Sequence, residues 1–406
     1  MSTTSIEKDK EPPWEYLLND ESFPNKHMTR VMHIKNKLEY HIRNKIPIQE
    51  KNRAKIWAIM ENLDSIVTNQ KNIDKYYECL NTPHEEIDND VATDAVRTFP
   101  SKQYKQIMKD NHNGKKDPLY NVLKSYAIYN EEVQYTQGMN YLCLILLCYY
   151  TEIEAFWMLD LLIKKYGMRH FFRKRGSFVP SYLKFFEQEI QEQLPQLSNH
   201  FQKEGIQVYM FVQGWLCTIF VYQALPFQTI SVIWDYFWYE SNAGMGIEVL
   251  FKLSIALLKI INSSLLDVPM SQFFEFVKQE MTKVDPLEWI HEAYNVKLTD
   301  DTSSLLSEIV KNYQDCEKKD SRISEFIIAT SKSNYTDLSF ILASNNNNNN
   351  TTTTNTNVND QNQDDSDTDI DYNKLLFLSD DSDGDDNYDE DATSPTLERE
   401  KSCIIS

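Results

Sequence analysis

The sequence predicts an all-α protein, and three observations support that fold class. Only 9 of the 406 residues are glycine, far below the usual share of about 7%, which disfavours folds that depend on glycine. Two Leu-Pro steps, Leu194-Pro195 and Leu225-Pro226, divide the most apolar region into pieces of helical length. Apolar residues also recur at helical spacing, as in Leu119, Val122, Leu123 and Tyr126.

Composition divides the chain into four segments. Residues 1–21 are charged and contain Pro12-Pro13, which predicts a disordered arm. Residues 22–295 are predicted to form the packed helical domain: helical patterning starts after residue 21, and the core should end near residue 295 because the last of the seven tryptophans is Trp289. Residues 296–344 are predicted to add one or two helices, with an amphipathic face formed by Leu305, Leu306, Ile309, Val310 and Tyr313. Residues 345–406 begin with an Asn/Thr tract and become acidic, which predicts a disordered tail.

Charge and motif content exclude several functions. Residues 360–401 carry 16 acidic and 3 basic residues, which accounts for 13 of the 20 net negative charges, so the helical domain is only mildly acidic. No basic face suggests binding to nucleic acid. Neither of the two common glycine-rich phosphate-binding motifs is present, so we expect no nucleotide cofactor on this chain.

Cysteine usage and hydropathy favour a cytoplasmic protein. The six cysteines show no C-x-x-C spacing, and several lie in apolar runs where free buried thiols are the ordinary expectation. No N-terminal signal pattern is present, and the longest apolar run, Tyr141 to Tyr150, is too short to span a bilayer.

The segment from Ile87 to Pro100 predicts a short helix that presents an arginine at its end. Asp88, Asn89 or Asp90 is predicted to cap the start, and Pro100 disfavours helical angles at the preceding residue. Arg97 therefore lies in the last turn, three residues after Asp94 and on the same face, where the carboxylate can brace its guanidinium.

A second polar feature precedes the apolar run at Tyr141. Gln137 and Gly138 lie where a polar loop enters a buried helix. Gly138 permits backbone angles that other residues resist, and Gln137 is predicted to present one acceptor and two donors at the rim of the helix.

Each feature has an ordinary interpretation when it is taken alone. Arg97 could pair with Asp94 on a solvated helix end, which contributes only a few tenths of a kcal/mol. The Gln137 amide could satisfy buried backbone groups at a helix entry. The two motifs together, with their order along the chain, favour a functional interpretation.

These motifs resemble those of the TBC domain, the GTPase-activating module for Rab-family small GTPases. Val91-x-x-Asp94-x-x-Arg97-Thr98-Phe99-Pro100 resembles the family's arginine-finger motif, and Tyr135-Thr136-Gln137-Gly138 resembles its glutamine-finger motif. Further matches, in the family's order over roughly residues 45 to 295, are Arg53 with Trp57, Phe156-Trp157, Leu194-Pro195 with His200, Trp215 with Phe220, and Leu225-Pro226 with Trp234-Asp235. Val91 replaces the usual isoleucine, Glu131 and Gln134 stand where the family usually has proline and glycine, and the spacing from Ile46-Pro47 to Arg53 is two residues longer.

The resemblance implies a two-lobed helical TBC domain that stimulates GTP hydrolysis by a GTP-bound Rab-family GTPase. It assigns catalysis to Arg97 and Gln137, with Asp94, Tyr135 and Gly138 as supporting residues. Magnesium and GTP would belong to the partner, so no cofactor is expected on this chain. The alternatives are a non-catalytic adaptor that binds a GTPase or trafficking partner, and a helical scaffold unrelated to GTPases.

The C-terminal Cys403-Ile404-Ile405-Ser406 fits a C-a-a-X lipidation motif, and the final serine favours a farnesyl group. One lipid chain gives marginal binding, and the acidic tail would be repelled by anionic lipid, so we expect weak peripheral attachment to endomembranes. The apolar island at 371–378 matches short linear motifs of a kind that often arises by chance.

Overall fold

The computed structural model describes residues 12–19, 27–99, 101–113, 117–172, 179–241, 246–300, 302–304 and 306–307. Every regular element within these ranges is helical, which confirms the all-α fold class. A 3₁₀ turn covers Val221–Gln223. The α-helices are α1 (Trp14–Leu17), α2 (His27–Arg43), α3 (Glu50–Met60), α4 (Leu63–Val67), α5 (Gln70–Asn81), α6 (Glu85–Arg97), α7 (Lys102–Asn111), α8 (Pro118–Tyr129), α9 (Met139–Tyr149), α10 (Glu152–Lys164), α11 (Arg169–Phe172), α12 (Val179–Gln193), α13 (Pro195–Glu204), α14 (Tyr209–Thr218), α15 (Phe227–Glu240), α16 (Gly246–Leu265), α17 (Met270–Lys283) and α18 (Pro286–Asn295).

The predicted Leu-Pro breaks fall between helices. Pro195 is the first residue of α13, where its missing N–H costs no helical hydrogen bond, and Pro226 precedes the first residue of α15. The four residues that repeat at helical spacing from Leu119 to Tyr126 are all buried on α8, as predicted.

The prediction of a disordered arm over residues 1–21 is wrong for residues 14–17. Residues Trp14–Leu17 form α1, and Leu17 and Leu18 are buried. The Leu17 carbonyl accepts a hydrogen bond of 2.6 Å from Arg30 Nε on α2. This short segment is therefore ordered despite the charged residues and prolines around it, because its apolar side chains pack against α2.

The helices pack as two groups around one continuous hydrophobic core. Helices α4 to α10 contact mainly one another, and helices α12 to α18 form the second group. Helix α9 lies between them, since it contacts α7, α8 and α10 on one side and α14 on the other. Every residue of α9 from Leu142 to Cys148 is buried, which explains why this run is apolar on all faces.

A buried ion pair joins α3 to α15, which belongs to the second group of helices. Arg53 Nε donates to Asp235 Oδ2 at 2.7 Å, and Trp57 Nε1 donates to Asp235 Oδ1 at 3.0 Å. Burial raises the pKa of Asp235 to about 6, and the contacts with Arg53 and Trp57 oppose that rise. Asp235 is therefore a structural acid, as its position beside Trp234 predicts.

Helices α2 and α18 pack against each other and so join the N-terminal and C-terminal parts of the fold. Arg43 Nε donates to the Tyr294 hydroxyl at 2.9 Å, that hydroxyl donates to Glu39, and Lys45 pairs with Glu288. Trp289 on α18 is fully buried, and its indole N–H donates to the Leu253 carbonyl of α16 at 2.8 Å.

Some of the remaining sequence predictions concern residues that the structure describes, and others lie outside them. Cys79, Cys143, Cys148 and Cys217 are free and buried, as predicted. Within the described ranges, no helix combines the length and hydropathy needed to cross a bilayer. Val296, Leu298, Thr302 and Leu306 are buried beyond α18. Cys403, the tail from 345 to 406, the island at 371–378 and most of the amphipathic face lie outside the described residues.

Candidate functional site

Helix α6 carries the arginine motif and begins earlier than predicted. It starts at Glu85, where His84 is the N-cap and its Nδ1 accepts a hydrogen bond of 3.3 Å from the Ile87 N–H. The predicted caps at Asp88, Asn89 and Asp90 are therefore wrong as caps. Glu85, Glu86 and Asp88 lie in the first turn, where negative charge stabilises the positive end of the helix dipole. The predicted end is confirmed, because Arg97 is the last helical residue.

Arg97 is held at the helix end by Asp94. Its Nε and Nη2 donate to Asp94 Oδ1 at 2.9 and 2.6 Å. The Arg97 side chain is 54% exposed, whereas Asp94 is 5% exposed. The carboxylate is thus the buried anchor of the pair, and the guanidinium lies at the surface.

Tyr135 connects the arginine to the glutamine motif. Its hydroxyl donates to Asp94 Oδ2 at 2.5 Å. Burial, followed by the nearby charge of Asp94, raises the pKa of Tyr135 well above its usual value, so the hydroxyl keeps its proton and remains a donor. Asp94 therefore binds Arg97 through one oxygen and Tyr135 through the other.

Gln137 and Gly138 lie at the N-terminus of α9. Gly138 has a φ of 103°, in the region that favours glycine, as predicted. Gln137 is partly exposed immediately before it. The buried Gly138 N–H donates to Asn140 Oδ1 at 2.9 Å, so the backbone next to Gln137 is fixed by a side chain inside α9.

A second connection joins the two motifs. Asn140 Nδ2 donates to Thr98 Oγ1 at 2.8 Å, and the Thr98 hydroxyl donates to the Asp94 carbonyl at 2.5 Å. The residues that flank Arg97 and Gln137 are therefore joined by hydrogen bonds, although about 40 residues separate them in sequence. Sequence reasoning assigned no role to Thr98 or Asn140. The available signal was an asparagine on the buried helix, since a buried amide needs partners.

The loop before Tyr135 is held by Asn130. Its Oδ1 accepts from the Val133 N–H at 3.2 Å, and its Nδ2 donates to the Tyr126 hydroxyl at 2.9 Å. Gln134 has a φ of 54°, an unusual angle for a residue with a side chain. The structure thus gives a reason for the glycine that the TBC family usually has here.

The site is a network of hydrogen-bonded polar groups that is partly exposed at the surface. Asp94, Arg97, Tyr135 and Gly138 belong to one hydrogen-bonded assembly, and Gln137 adjoins it in the chain. Among the residues that the structure describes, no three His, Cys, Asp or Glu side chains are grouped to hold a metal ion.

Comparison with known proteins establishes the class of protein that this fold and site define. The family model for the Rab-GTPase-TBC domain matches residues 50–266, which is more than half of the chain. The chain belongs to the Rab-GTPase-TBC domain family.

Its relatives are longer proteins. The Caenorhabditis elegans Rab GTPase-activating protein tbc-11 is 26% identical over 282 residues, covering 67% of this chain and 29% of that protein. The human ecotropic viral integration site 5 protein homolog is 28% identical over 273 residues, covering 66% and 31%. The GTPase-activating protein GYP5 of Saccharomyces cerevisiae is 29% identical over 270 residues, covering 66% and 27%. The match thus spans less than a third of the length of each relative.

The fold is also that of a solved structure. The crystal structure of the Chlamydomonas flagellar RabGAP TBC domain aligns with a TM-score of 0.53 and 20% sequence identity. The alignment covers 69% of this chain and 88% of that domain. This likeness supports the helical fold.

Proposed function

We propose that this protein stimulates GTP hydrolysis by a Rab-family small GTPase, to which it supplies Arg97 and Gln137 in trans. The observation that carries the proposal is the contact of Asp94 with both motifs. Its carboxylate holds the half-exposed Arg97 through one oxygen and Tyr135, two residues before Gln137, through the other. Two of the relatives are named GTPase-activating proteins, which favours the same activity here.

The chemistry requires positive charge and an ordered water molecule. Water attacks the γ-phosphorus of the GTPase-bound GTP, the bond from that phosphorus to the bridging oxygen breaks, and GDP and phosphate leave. An arginine supplied in trans stabilises the charge that develops on the phosphoryl oxygens, and such a residue raises turnover by roughly 10³ to 10⁵-fold. That acceleration corresponds to a barrier lowered by about 4–7 kcal/mol. Arg97 has the charge and exposure for this role.

Gln137 is suited to orient the attacking water. Its amide offers an acceptor for a water proton and donors for the water oxygen or a phosphoryl oxygen. The left-handed backbone at Gly138 and the hydrogen bond from its N–H to Asn140 fix the main chain beside it. Mg²⁺ and GTP are bound by the partner and are the substrate complex on which this protein acts.

The test is phosphate release from a panel of GTP-loaded Rab GTPases, with Arg97→Ala and Gln137→Ala measured beside the wild type. We expect Arg97→Ala to reduce the stimulated rate by roughly 10³-fold or more, while the chain stays folded because the guanidinium is exposed and Asp94 keeps its hydrogen bond from Tyr135. Arg43→Ala is the matched control, since Arg43 is 57% exposed and also pairs with an acid of its own helix. Gln279→Ala controls for loss of an exposed glutamine.

Two results would reject the proposal. Full stimulation by Arg97→Ala would show that the arginine takes no part in the hydrolysis. Binding of a GTPase by the wild type without faster hydrolysis, for every member of the panel, would indicate the adaptor alternative instead.

We further propose that Cys403 is farnesylated and gives weak, reversible membrane association. The sequence Cys403-Ile404-Ile405-Ser406 supports it. The thiolate would displace diphosphate from farnesyl diphosphate to form a thioether. Labelled farnesyl diphosphate with a farnesyltransferase should modify the wild type and Cys316→Ser, but not Cys403→Ser. An unlabelled wild type would end this proposal.

A further inference from the structure

The Asn140 side chain has a hydrogen bond on each of its two polar atoms. Asn140 is 2% exposed on α9, so water cannot replace these bonds. Its Oδ1 accepts from the Gly138 N–H, and its Nδ2 donates to Thr98 Oγ1. The orientation of the amide is fixed by chemistry, because the Gly138 N–H requires an acceptor and therefore the oxygen must face it.

Thr98 completes a directional chain of hydrogen bonds. It is fully buried, and its hydroxyl donates to the Asp94 backbone carbonyl while accepting from Asn140. A single hydroxyl can perform both roles at once. Three consecutive hydrogen bonds therefore run from the backbone at Gly138, beside Gln137, to the backbone at Asp94, one helical turn before Arg97.

This chain is separate from the contact between Tyr135 and Asp94. The Tyr135 hydroxyl binds the Asp94 carboxylate, which moves with the side chain, whereas Thr98 and Asn140 join main-chain atoms. The first contact orients the guanidinium of Arg97. The second sets the distance between the end of α6 and the start of α9.

We propose that Thr98 and Asn140 are positioning residues that fix the backbone next to Gln137 relative to the end of α6, so that the glutamine and arginine reach one GTP together. This inference rests on the proposed function. Both side chains are buried and do not contact the substrate in this proposal, so each acts through its neighbours. A misplacement of about 1 Å at a reacting group can cost about 10²-fold in rate, which is the scale of effect to be expected.

Thr98 offers a matched pair of substitutions. Thr98→Val keeps the shape and the methyl group but removes the hydroxyl, whereas Thr98→Ser keeps the hydroxyl and removes the methyl group. If packing alone matters, Ser should be the more harmful change. If the hydrogen bonds position the backbone, Val should be.

The experiment measures backbone exchange and kinetics on the full chain. By NMR, we expect the Gly138 amide to exchange at least about tenfold faster in Thr98→Val than in the wild type or Thr98→Ser, because Asn140 loses its second anchor. With a responsive GTPase, kcat should fall about 10- to 100-fold in Thr98→Val, with KM within about threefold of the wild type. Asn140→Leu should reproduce the exchange change directly.

The outcomes separate this inference from the proposed function. Unchanged exchange at Gly138 in Thr98→Val, equal damage by Ser and Val, or an effect on KM alone would each overturn the positioning role. If the wild type accelerates no GTPase, the proposed function fails and the catalytic part of this inference fails with it. The exchange comparison then still decides whether the backbone connection exists.

Discussion

Removal of the Tyr135 hydroxyl is the sharpest test of how the site is held. Tyr135→Phe keeps the ring and deletes the donor to Asp94 Oδ2. Hydrogen bonds to charged groups contribute about 1.5–3 kcal/mol, and both residues are buried, so water cannot replace the lost donor. Asp94 keeps Arg97 on its other oxygen, which limits the damage. We expect the free energy of unfolding to fall by about 2 kcal/mol.

The same substitution should affect hydrolysis much less than removal of Arg97. The hydroxyl anchors Asp94 and is remote from the proposed chemistry, so we expect a loss of stimulated GTP hydrolysis of about tenfold or less, equivalent to about 1.4 kcal/mol of barrier. Urea denaturation at pH 7 measures the stability, and phosphate release measures the rate. Tyr77→Phe is the control, because Tyr77 is about half exposed and the loss of its hydroxyl should change stability by less than about 0.5 kcal/mol. A Tyr135→Phe variant as stable as this control would refute the view that Asp94 depends on Tyr135.

Two further predictions concern the loop and the core. Gln134→Gly should raise the free energy of unfolding by about 0.5–1 kcal/mol. Glycine relieves about 1–2 kcal/mol of strain in the left-handed backbone, whereas its greater conformational entropy in the unfolded chain costs about 0.5–1 kcal/mol. Gln103→Gly on α7, at ordinary helical angles, should instead lower it by about 1 kcal/mol, and loss of stability in both variants would contradict the reasoning. Burial raises the pKa of Asp235 from its ordinary 3.8 to about 6, so the folded state retains a proton that the unfolded state has released between those pH values. This stabilisation is complete below pH 4 and is lost as the pH rises through 6. In urea denaturation, the stability of the wild type relative to Asp235→Asn should therefore fall by about 2 kcal/mol from pH 4 to 6.5, and a relative stability that rises over this range would contradict the reasoning.

Local sequence signals predicted the parts of the fold that local physics decides. Pro195 and Pro226 marked helix boundaries because proline cannot continue a helix, and Gly138 marked a left-handed turn. The three-residue spacing of Asp94 and Arg97 predicted their contact, since such residues share a helix face.

The errors and omissions involve choices between similar local signals, or contacts between distant residues. Three acidic or amide residues competed to cap α6, and the chain used His84 instead, which no capping preference favours. Helix α1 depends on packing against α2, and the contact between Thr98 and Asn140 joins residues 42 apart in sequence. Periodicity and spacing carry no information about such pairs.

The closure of α2 on α18 has a practical consequence for any fragment of this protein. The segment matched by the family model begins after α2 and ends one residue after α16, so a fragment cut at its limits would lack both α2 and α18. The Leu253 carbonyl would then lose its indole donor, and the apolar surface that covers Trp289 would face water. Such a fragment should aggregate, whereas a fragment of residues 27–300 keeps both α2 and α18 and the polar contacts between these two parts of the fold. The unit that folds is therefore longer at each end than the unit that sequence comparison detects.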